Sequence, residues 1–198
     1  MTKQRRTGKE LEDALAAAIM EELAAQGYQN LSFEGVARAA QTSKSVLYRR
    51  FASRAEMVVF AALRTAPTQL NDVATAPSLR EAFVALIEAT RTRLDHIGIS
   101  ALFGVLSEAS PQVREELLTT TVLPGFVALT NSYKFAIARG ELSETVLEPL
   151  YIRFPLLLLV GDILARGAID EAELLSLVDH IIIPHLKNVS KPEENSAS

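Results

Sequence analysis

A short polar stretch in the first third of the chain carries the side chains best suited to chemistry. Residues 41–45 (QTSKS) are followed closely by Tyr48, Arg49, Arg50 and Arg54. Short polar side chains near the N-terminus of a helix can reach base edges in the major groove of DNA. Hydroxyls, arginines and the free N–H groups of a helix N-terminus bind phosphates. The residue types and their order therefore predict contact with duplex DNA.

Charge is unevenly distributed along the 198 residues. Residues 1–64 contain ten Lys and Arg against seven Asp and Glu, a balance of +3, whereas residues 65–198 carry a balance of −7. A basic front joined to an acidic remainder favours a polyanionic partner, although a solvated basic tail has the same composition. The first nine residues contain no acid and four cations: Lys3, Arg5, Arg6 and Lys9.

Two short helices joined by a tight turn are expected around the polar stretch. Ser32 is a favourable N-cap for a helix over residues 33–40. Ser43 can cap a second helix that continues to about residue 50. Such a pair is a helix-turn-helix. Capped stretches with apolar residues every three or four positions predict the remaining helices, so the whole chain is expected to be all-α. One further helix is expected to begin near Thr7 or Gly8 and to end at Gly27, and others are expected over residues 53–63, 78–97, 100–109, 110–139 with a kink at Pro124-Gly125, 145–166 and 170–186.

Several function classes are excluded or disfavoured. The chain has no cysteine, which excludes disulfides, thiolate metal sites and cysteine nucleophiles, and its three histidines leave little for a metal centre. It has no GxSxG, phosphate-loop or HExxH motif. We therefore expect no enzyme activity, no catalytic residue, no cofactor and no metal. The most apolar stretch, residues 154–160, is bounded by Arg153 and Asp162, so we expect a cytoplasmic protein with no membrane partner.

Residues 8–64 resemble the N-terminal domain of the TetR family of bacterial transcriptional regulators. The resemblance rests on one connected string, GYQNLSFEGVARAAQTSKSVLYRRFASRAEMV, at residues 27–58. Gln41 and Thr42 depart from it, since they stand where the family has glycine and valine. The matching elements are Gly27-Tyr28, Ser32, Val36-Ala37, Ala40, Ser43, Leu47-Tyr48, Phe51 and Ser53-Arg54.

The resemblance implies roles for individual side chains. Lys44 and Ser45 would face bases, since lysine suits the O6 and N7 atoms of guanine. Ser32 and Arg54 would bind phosphates. A glutamine where φ is positive costs about 1 kcal/mol, so the turn either changes its geometry or uses Gln41 to touch DNA. The full set of expected DNA contacts is Arg5, Arg6, Ser32, Gln41, Thr42, Ser43, Lys44, Ser45, Tyr48, Arg49 and Arg54.

The rest of the chain resembles the family in outline, as a helical ligand-binding and dimerisation domain. Helices around residues 147–165 and 174–186 are apolar over most of their circumference, which favours burial against a second copy in a four-helix bundle. A homodimer through these last two helices would place two recognition helices about 34–36 Å apart and require a palindromic operator. The expected organisation is a basic N-terminal arm (1–9), the helix-turn-helix domain (10–64), the ligand-binding and dimerisation domain (65–187) and a disordered tail (188–198).

Family members bind an inducer among the middle helices. The apolar residues there, with a few polar atoms, suit a ligand pocket for an uncharged or largely apolar small molecule, although a packed core has the same spacing. The expected lining residues are Phe83, Ile87, Phe103, Leu106, Phe126, Thr130, Tyr133 and Phe154.

Together these features predict a sequence-specific, ligand-responsive repressor that binds a palindromic operator as a two-fold dimer. Two alternatives stay open. A ligand-responsive activator would have the same architecture. A helical adaptor that binds polyanions without sequence preference would explain the basic front but not the ordered helix-turn-helix string.

Overall fold

The computed structural model describes residues 8–65 and 70–191. These residues form α-helices and short 3-10 and π turns, with no strand among them, so the all-α prediction is confirmed. Arg5 and Arg6 of the expected basic arm lie outside the described residues, as does most of the expected tail. The first described helix begins at Lys9 and the last ends at Val189. Val189 is the second residue of the segment that was expected to be disordered.

Twelve α-helices lie within the described residues. In chain order they are α1 (Lys9–Asn30), α2 (Phe33–Ala39), α3 (Lys44–Tyr48), α4 (Arg54–Thr65), α5 (Asn71–Ala74), α6 (Leu79–Ile97), α7 (Ile99–Glu108), α8 (Pro111–Leu117), α9 (Leu123–Ala138), α10 (Pro149–Arg166), α11 (Glu171–Leu177) and α12 (Ile183–Val189). The two helices of the helix-turn-helix, α2 and α3, end within two residues of the positions predicted from the sequence.

Two π-helical turns divide the helices predicted over residues 110–139 and 170–186, and the first of them lies just before the kink expected at Pro124-Gly125. Leu118–Val122 lies just before Pro124, and Val178–Ile182 lies just before Pro184. Proline has no N–H to donate, and its ring clashes with the carbonyl four residues earlier. A π turn shifts the hydrogen-bond register by one residue and accommodates this misfit. A 3-10 turn at Glu144–Leu147 similarly precedes α10, which begins at Pro149, a favoured first position for proline.

The described residues divide into two compact units. The first comprises residues 8–65 and 92–120, and the second comprises residues 70–91 and 121–191. Residues 92–120, which include α7 and α8, therefore pack with the helix-turn-helix elements, although they belong to the expected ligand-binding domain. The functional division at residue 64 stays a prediction.

The core of the first unit forms where the apolar faces of α1, α2, α3 and α4 meet. Leu15 and Ile19 of α1, Val36 of α2, Leu47 of α3 and Met57 of α4 are completely buried. Burial of a leucine or isoleucine side chain stabilises the fold by about 1.5–3 kcal/mol. This packing holds the short α2 and α3, which have too few residues to be stable as isolated helices.

A left-handed glycine shapes the exit from α1. Gly27 has a φ of 72° and breaks the helical path before the last turn of α1. Residues with a Cβ rarely adopt this conformation, so glycine suits the position. The break leaves Tyr28 buried under the helix. No helix among the described residues is long and apolar enough to cross a membrane.

Candidate nucleic-acid interface

The turn between α2 and α3 has the hydrogen bonds of a Schellman motif. The N–H of Thr42 donates to the carbonyl of Ala37 at 2.9 Å, and the N–H of Gln41 donates to the carbonyl of Arg38 at 3.1 Å. Gln41 has a φ of 54° and is the one non-glycine residue with a positive φ in the described part of the chain. Glutamine therefore takes up the left-handed conformation that the family's glycine favours. Its expected contact with DNA stays a prediction.

The start of α3 presents a polar, exposed edge. Ser43, Lys44 and Ser45 are all exposed, whereas Leu47, further along α3, is completely buried. Leu47 anchors α3 in the core and leaves the polar side chains at the start of the helix in solvent. Lys44 and Ser45, to which the resemblance assigns base contact, therefore lie next to each other on the surface.

One expectation about this edge is wrong. Ser43 occupies the N-cap position of α3, with extended backbone angles, but its hydroxyl makes no capping hydrogen bond. Its Oγ instead lies 2.9 Å from Oγ of Ser45, and the two hydroxyls share a hydrogen bond. The hydroxyl of Ser45, two residues further along the chain, therefore competes with the backbone N–H groups for the Oγ atom of Ser43. Ser53 does cap α4 as expected, since its Oγ accepts from the N–H of Glu56 at 3.1 Å.

Ser32 caps α2 in a manner compatible with a further contact. Its Oγ accepts a hydrogen bond from the N–H of Gly35 at 3.0 Å. A serine hydroxyl is one donor and two acceptors, so its own hydrogen stays available to a phosphate oxygen. The positive end of the α2 dipole lies at the same place and favours an anion.

Tyr48 stands out from the surface beside this cap. Its side chain is 63% exposed, and its ring stacks on that of Phe33 with the centroids 4.4 Å apart and the planes 11° from parallel. The stack joins the last residue of α3 to the first residue of α2. It limits the directions in which the phenol can point, which prepares the hydroxyl for a fixed contact.

Lys44 and Glu34 form an ion pair on the same exposed side. The Nζ of Lys44 lies 2.6 Å from Oε2 of Glu34, which is the second residue of α2. The hydrogen bond from Lys44 lowers the pKa of the Glu34 carboxyl, so this group is charged at neutral pH. Arg49, by contrast, makes no ion pair with any residue that the structure describes.

Arg54 has protein partners that the sequence did not indicate. Its guanidinium bonds to Glu108, at the end of α7, and to the backbone carbonyl of Gln29. Glu108 is 54 residues away in sequence, and no local pattern marks it as a partner. The Nη1 atom of Arg50, the residue after Arg49, lies 3.4 Å from Oε1 of Glu12 on α1.

The eight expected pocket residues are distributed over both compact units. Phe83, Ile87 and Tyr133 lie in the core of the second unit. Phe103 and Leu106 are exposed on α7 in the first unit. The other three belong to the second unit. Phe154 packs on His185, and Phe126 and Thr130 line a groove of about 410 Å³ together with Leu123, Val127, Asn131, Lys134, Pro149 and Ile152.

No cluster of three or more histidine or acidic side chains suitable for a metal ion occurs within residues 8–65 and 70–191.

Comparison with known proteins agrees with this geometry. Residues 15–59 match the family model described as bacterial regulatory proteins, tetR family. Uncharacterized HTH-type transcriptional regulators of Mycobacterium bovis and Mycobacterium tuberculosis are 28% identical over 88% of this chain and 87% of their own length. The DNA-binding transcriptional repressor TetR of Mycobacteroides abscessus is 27% identical over 86% of this chain and 90% of its own.

The matched residues 15–59 include the whole of α2 and α3, and the relatives are named as transcriptional regulators. This all-helical chain is therefore a DNA-binding transcriptional regulator. Its helix-turn-helix segment is similar to that of the TetR family.

Proposed function

We propose that this chain is a ligand-responsive repressor that binds a palindromic operator as a two-fold dimer. The observation that carries the proposal is the exposed polar start of α3, where Lys44 and Ser45 reach solvent while Leu47 anchors the helix in the core. Lysine can donate to guanine O6 and N7, and serine can donate to or accept from several bases. The Mycobacteroides abscessus relative is named as a repressor, which favours repression over activation.

Contacts to the DNA backbone would position this reading edge. Ser32, with its spare hydroxyl hydrogen, and Tyr48 and Arg49, which are exposed, suit phosphate oxygens. Gln41, Thr42 and Ser43 lie in the turn beside them. Arg5 and Arg6, outside the described residues, would enter a neighbouring minor groove, as basic arms do in other helix-turn-helix proteins.

Exposed apolar side chains on α10 and in the segment from α11 to α12 support a dimer through the two apolar helices predicted at the end of the chain. Leu150, Leu157 and Val160 of α10 and Ile181 of the following helical segment are all largely exposed in the single chain. Large apolar side chains left in solvent are favourable interface residues, and a two-fold dimer uses the same surface on both copies. The dimer would set the two copies of α3 about one DNA turn apart.

The effector would bind the second compact unit. Its groove has mainly apolar walls, from Phe126, Val127 and Ile152 among others, which suits an uncharged or largely apolar small molecule. A ligand there would release DNA only if it bound one conformation of the dimer better than the other. We expect a cytoplasmic protein that turns over no substrate and needs no cofactor.

Selection from a random pool of duplex DNA, followed by sequencing at low and moderate salt, tests the proposal. We expect an enriched inverted repeat with half-sites about one turn apart that survives the higher salt. Binding that vanishes at moderate salt without any enriched motif would instead support the polyanion-binding adaptor, which the charge of the basic front favours. A reporter gene behind the selected operator then separates repression from activation.

A further inference from the structure

Three helices of the first compact unit meet at a network of Tyr28, Arg54 and Glu108. Tyr28 lies near the end of α1, Arg54 begins α4, and Glu108 ends α7. The phenol of Tyr28 donates to Oε2 of Glu108 at 3.0 Å. The guanidinium of Arg54 bonds to both carboxylate oxygens, with Nε 3.0 Å from Oε2 and Nη2 2.5 Å from Oε1. Such bidentate, charge-assisted pairs are the strongest hydrogen bonds between side chains.

The network also includes the backbone that leads into α2. Nη1 of Arg54 donates to the carbonyl of Gln29 at 2.8 Å. Gln29 lies three residues before Ser32, the N-cap of α2 and a proposed phosphate contact. A single arginine therefore joins the entry to α2, the start of α4 and the end of α7.

The ring of Tyr28 is buried and is contacted by Arg54 and by α7. Its side chain is 2% exposed, and the Arg54 guanidinium lies over its ring at 5.0 Å from the centroid. A Cβ built on Gly104 of α7 would overlap the ring, so α7 approaches at a glycine. Burial and the bond to Glu108 raise the pKa of Tyr28 to about 12, so the phenol stays a donor at neutral pH.

Glu108 has no local reason to lie where it does. A carboxylate in the last turn of a helix meets the negative end of the helix dipole, which is unfavourable. Arg54 and Tyr28, from outside α7, supply the compensating charge and donor. Arg54 in turn presents to Glu108 the Nε and Nη2 edge with which it would grip a phosphate.

We propose that Glu108 is a positioning residue for DNA binding, which holds Arg54 and Tyr28 so that α2 and α4 keep the arrangement in which α3 meets DNA. Arg54 acts through this contact and not as a phosphate ligand. The inference rests on the proposed function, since it concerns the same DNA-binding surface. It assigns a requirement for DNA binding to α7, outside the helix-turn-helix.

The test compares binding of wild type and Glu108→Gln to two duplexes, the selected operator and a random sequence of equal length. We expect the ratio of the two affinities to fall about tenfold in Glu108→Gln, because α3 is presented less uniformly. Arg54→Gln should lower the ratio similarly while leaving the salt dependence unchanged. Loss of a phosphate contact would instead reduce the slope of log affinity against log salt by about 0.9.

Arg64→Gln is the matched control. Arg64 also lies on α4, pairs with Glu12 and Asp13 of α1, and is 29% exposed, as Arg54 is. It does not contact α7 in the described ion pairs, so we expect both the affinity ratio and the salt slope to stay at wild-type values. A fall equal to that of Glu108→Gln would show a general loss of stability and overturn the inference.

Tyr28→Phe keeps the test decisive if Glu108→Gln does not fold. It removes only the hydrogen bond to Glu108, and we expect a smaller fall in the ratio, about threefold, with the helical circular dichroism unchanged. Folded variants that match wild type, or an Arg54→Gln slope lowered by one contact, would overturn the inference alone. A wild type that selects no motif would overturn the proposed function and this inference together.

Discussion

The ammonium of Lys44 and the carboxylate of Glu34 lie 2.6 Å apart on the exposed side of the helix-turn-helix. Lys44 begins α3 and Glu34 lies in the first turn of α2, so the pair joins the two helices across their N-terminal ends. An exposed pair of this kind contributes little to folding stability. If Lys44 contacts bases as proposed, Glu34 would compete with the bases for Lys44 and would place a negative charge near the phosphates.

Lys44→Ala should relax sequence preference at one base pair in each half-site. Loss of a lysine that contacts guanine costs about 1–3 kcal/mol of binding free energy on the preferred sequence and much less on a sequence changed at that position. Binding to the selected operator and to single-base variants measures the difference. Equal weakening on every sequence would mean that Lys44 contacts a phosphate.

Glu34→Gln is the companion variant, because it breaks the ion pair and keeps Lys44. We expect tighter binding to every duplex, since a negative charge is removed from the surface that faces the phosphates. Preference at the Lys44 base pair should remain. If that preference is lost as well, the ion pair itself orients Lys44 for its base contact.

Gln41→Gly should stabilise the protein, because glycine adopts the positive φ of this turn without the Cβ clash. Gln41→Ala provides the control, as it removes the same side-chain interactions but keeps the Cβ. We expect the glycine variant to be more stable than the alanine variant by about 1 kcal/mol. Urea unfolding at an unchanged m-value measures this difference, and equal stability would show that the turn relaxes without strain.

The Arg54–Glu108 pair should make the free energy of unfolding depend on pH in the acidic range. The hydrogen bond from Arg54 lowers the pKa of the Glu108 carboxyl below its ordinary value. A carboxyl with a lowered folded-state pKa stabilises the protein above its unfolded pKa of about 4.3, and this contribution is lost as the pH falls through the folded value. The difference in Tm between wild type and Glu108→Gln should therefore narrow on acidification from about pH 7 to about pH 3. A constant difference across this range would contradict a charged Glu108 in the network.

Leu157→Glu should dissociate the proposed dimer. Leu157 of α10 is 61% exposed in the single chain, and a two-fold interface would bury it in both copies. Losing about 1.5 kcal/mol of apolar burial per copy weakens association about a hundredfold. Sedimentation equilibrium measures the change. Phe135→Glu, on α9 and 51% exposed, is the control that should remain dimeric. Equal dissociation of both variants would contradict an interface confined to the last two helices.

Local features of the site could be predicted from the sequence. The starting residues of α2 and α4 follow from Ser32 and Ser53, whose hydroxyl oxygens accept hydrogen bonds from backbone N–H groups three residues on. The left-handed conformation at Gln41 could be suspected because a glycine is usual there. These interactions join near neighbours, so their partners are visible in a short stretch of sequence.

The partners of Arg54 could not be predicted in this way. Arg54 looked like a phosphate ligand because its type and its place at the start of α4 suit one. Its carboxylate partner, Glu108, lies 54 residues away, and the packing of α7 against α1 and α4 brings it there. The positions of the expected pocket residues could not be predicted either. Helical spacing cannot distinguish a core position such as Tyr133 from a groove position such as Thr130.

The sequence by itself therefore determined the all-helical class, the helix-turn-helix and the polar edge of α3, because capping and periodicity act within a few residues. The tertiary structure decided which charges pair, which apolar residues stay exposed and which helix packs against α1 and α4. Those outcomes depend on contacts between distant segments, whose free energies arise only when the helices pack together.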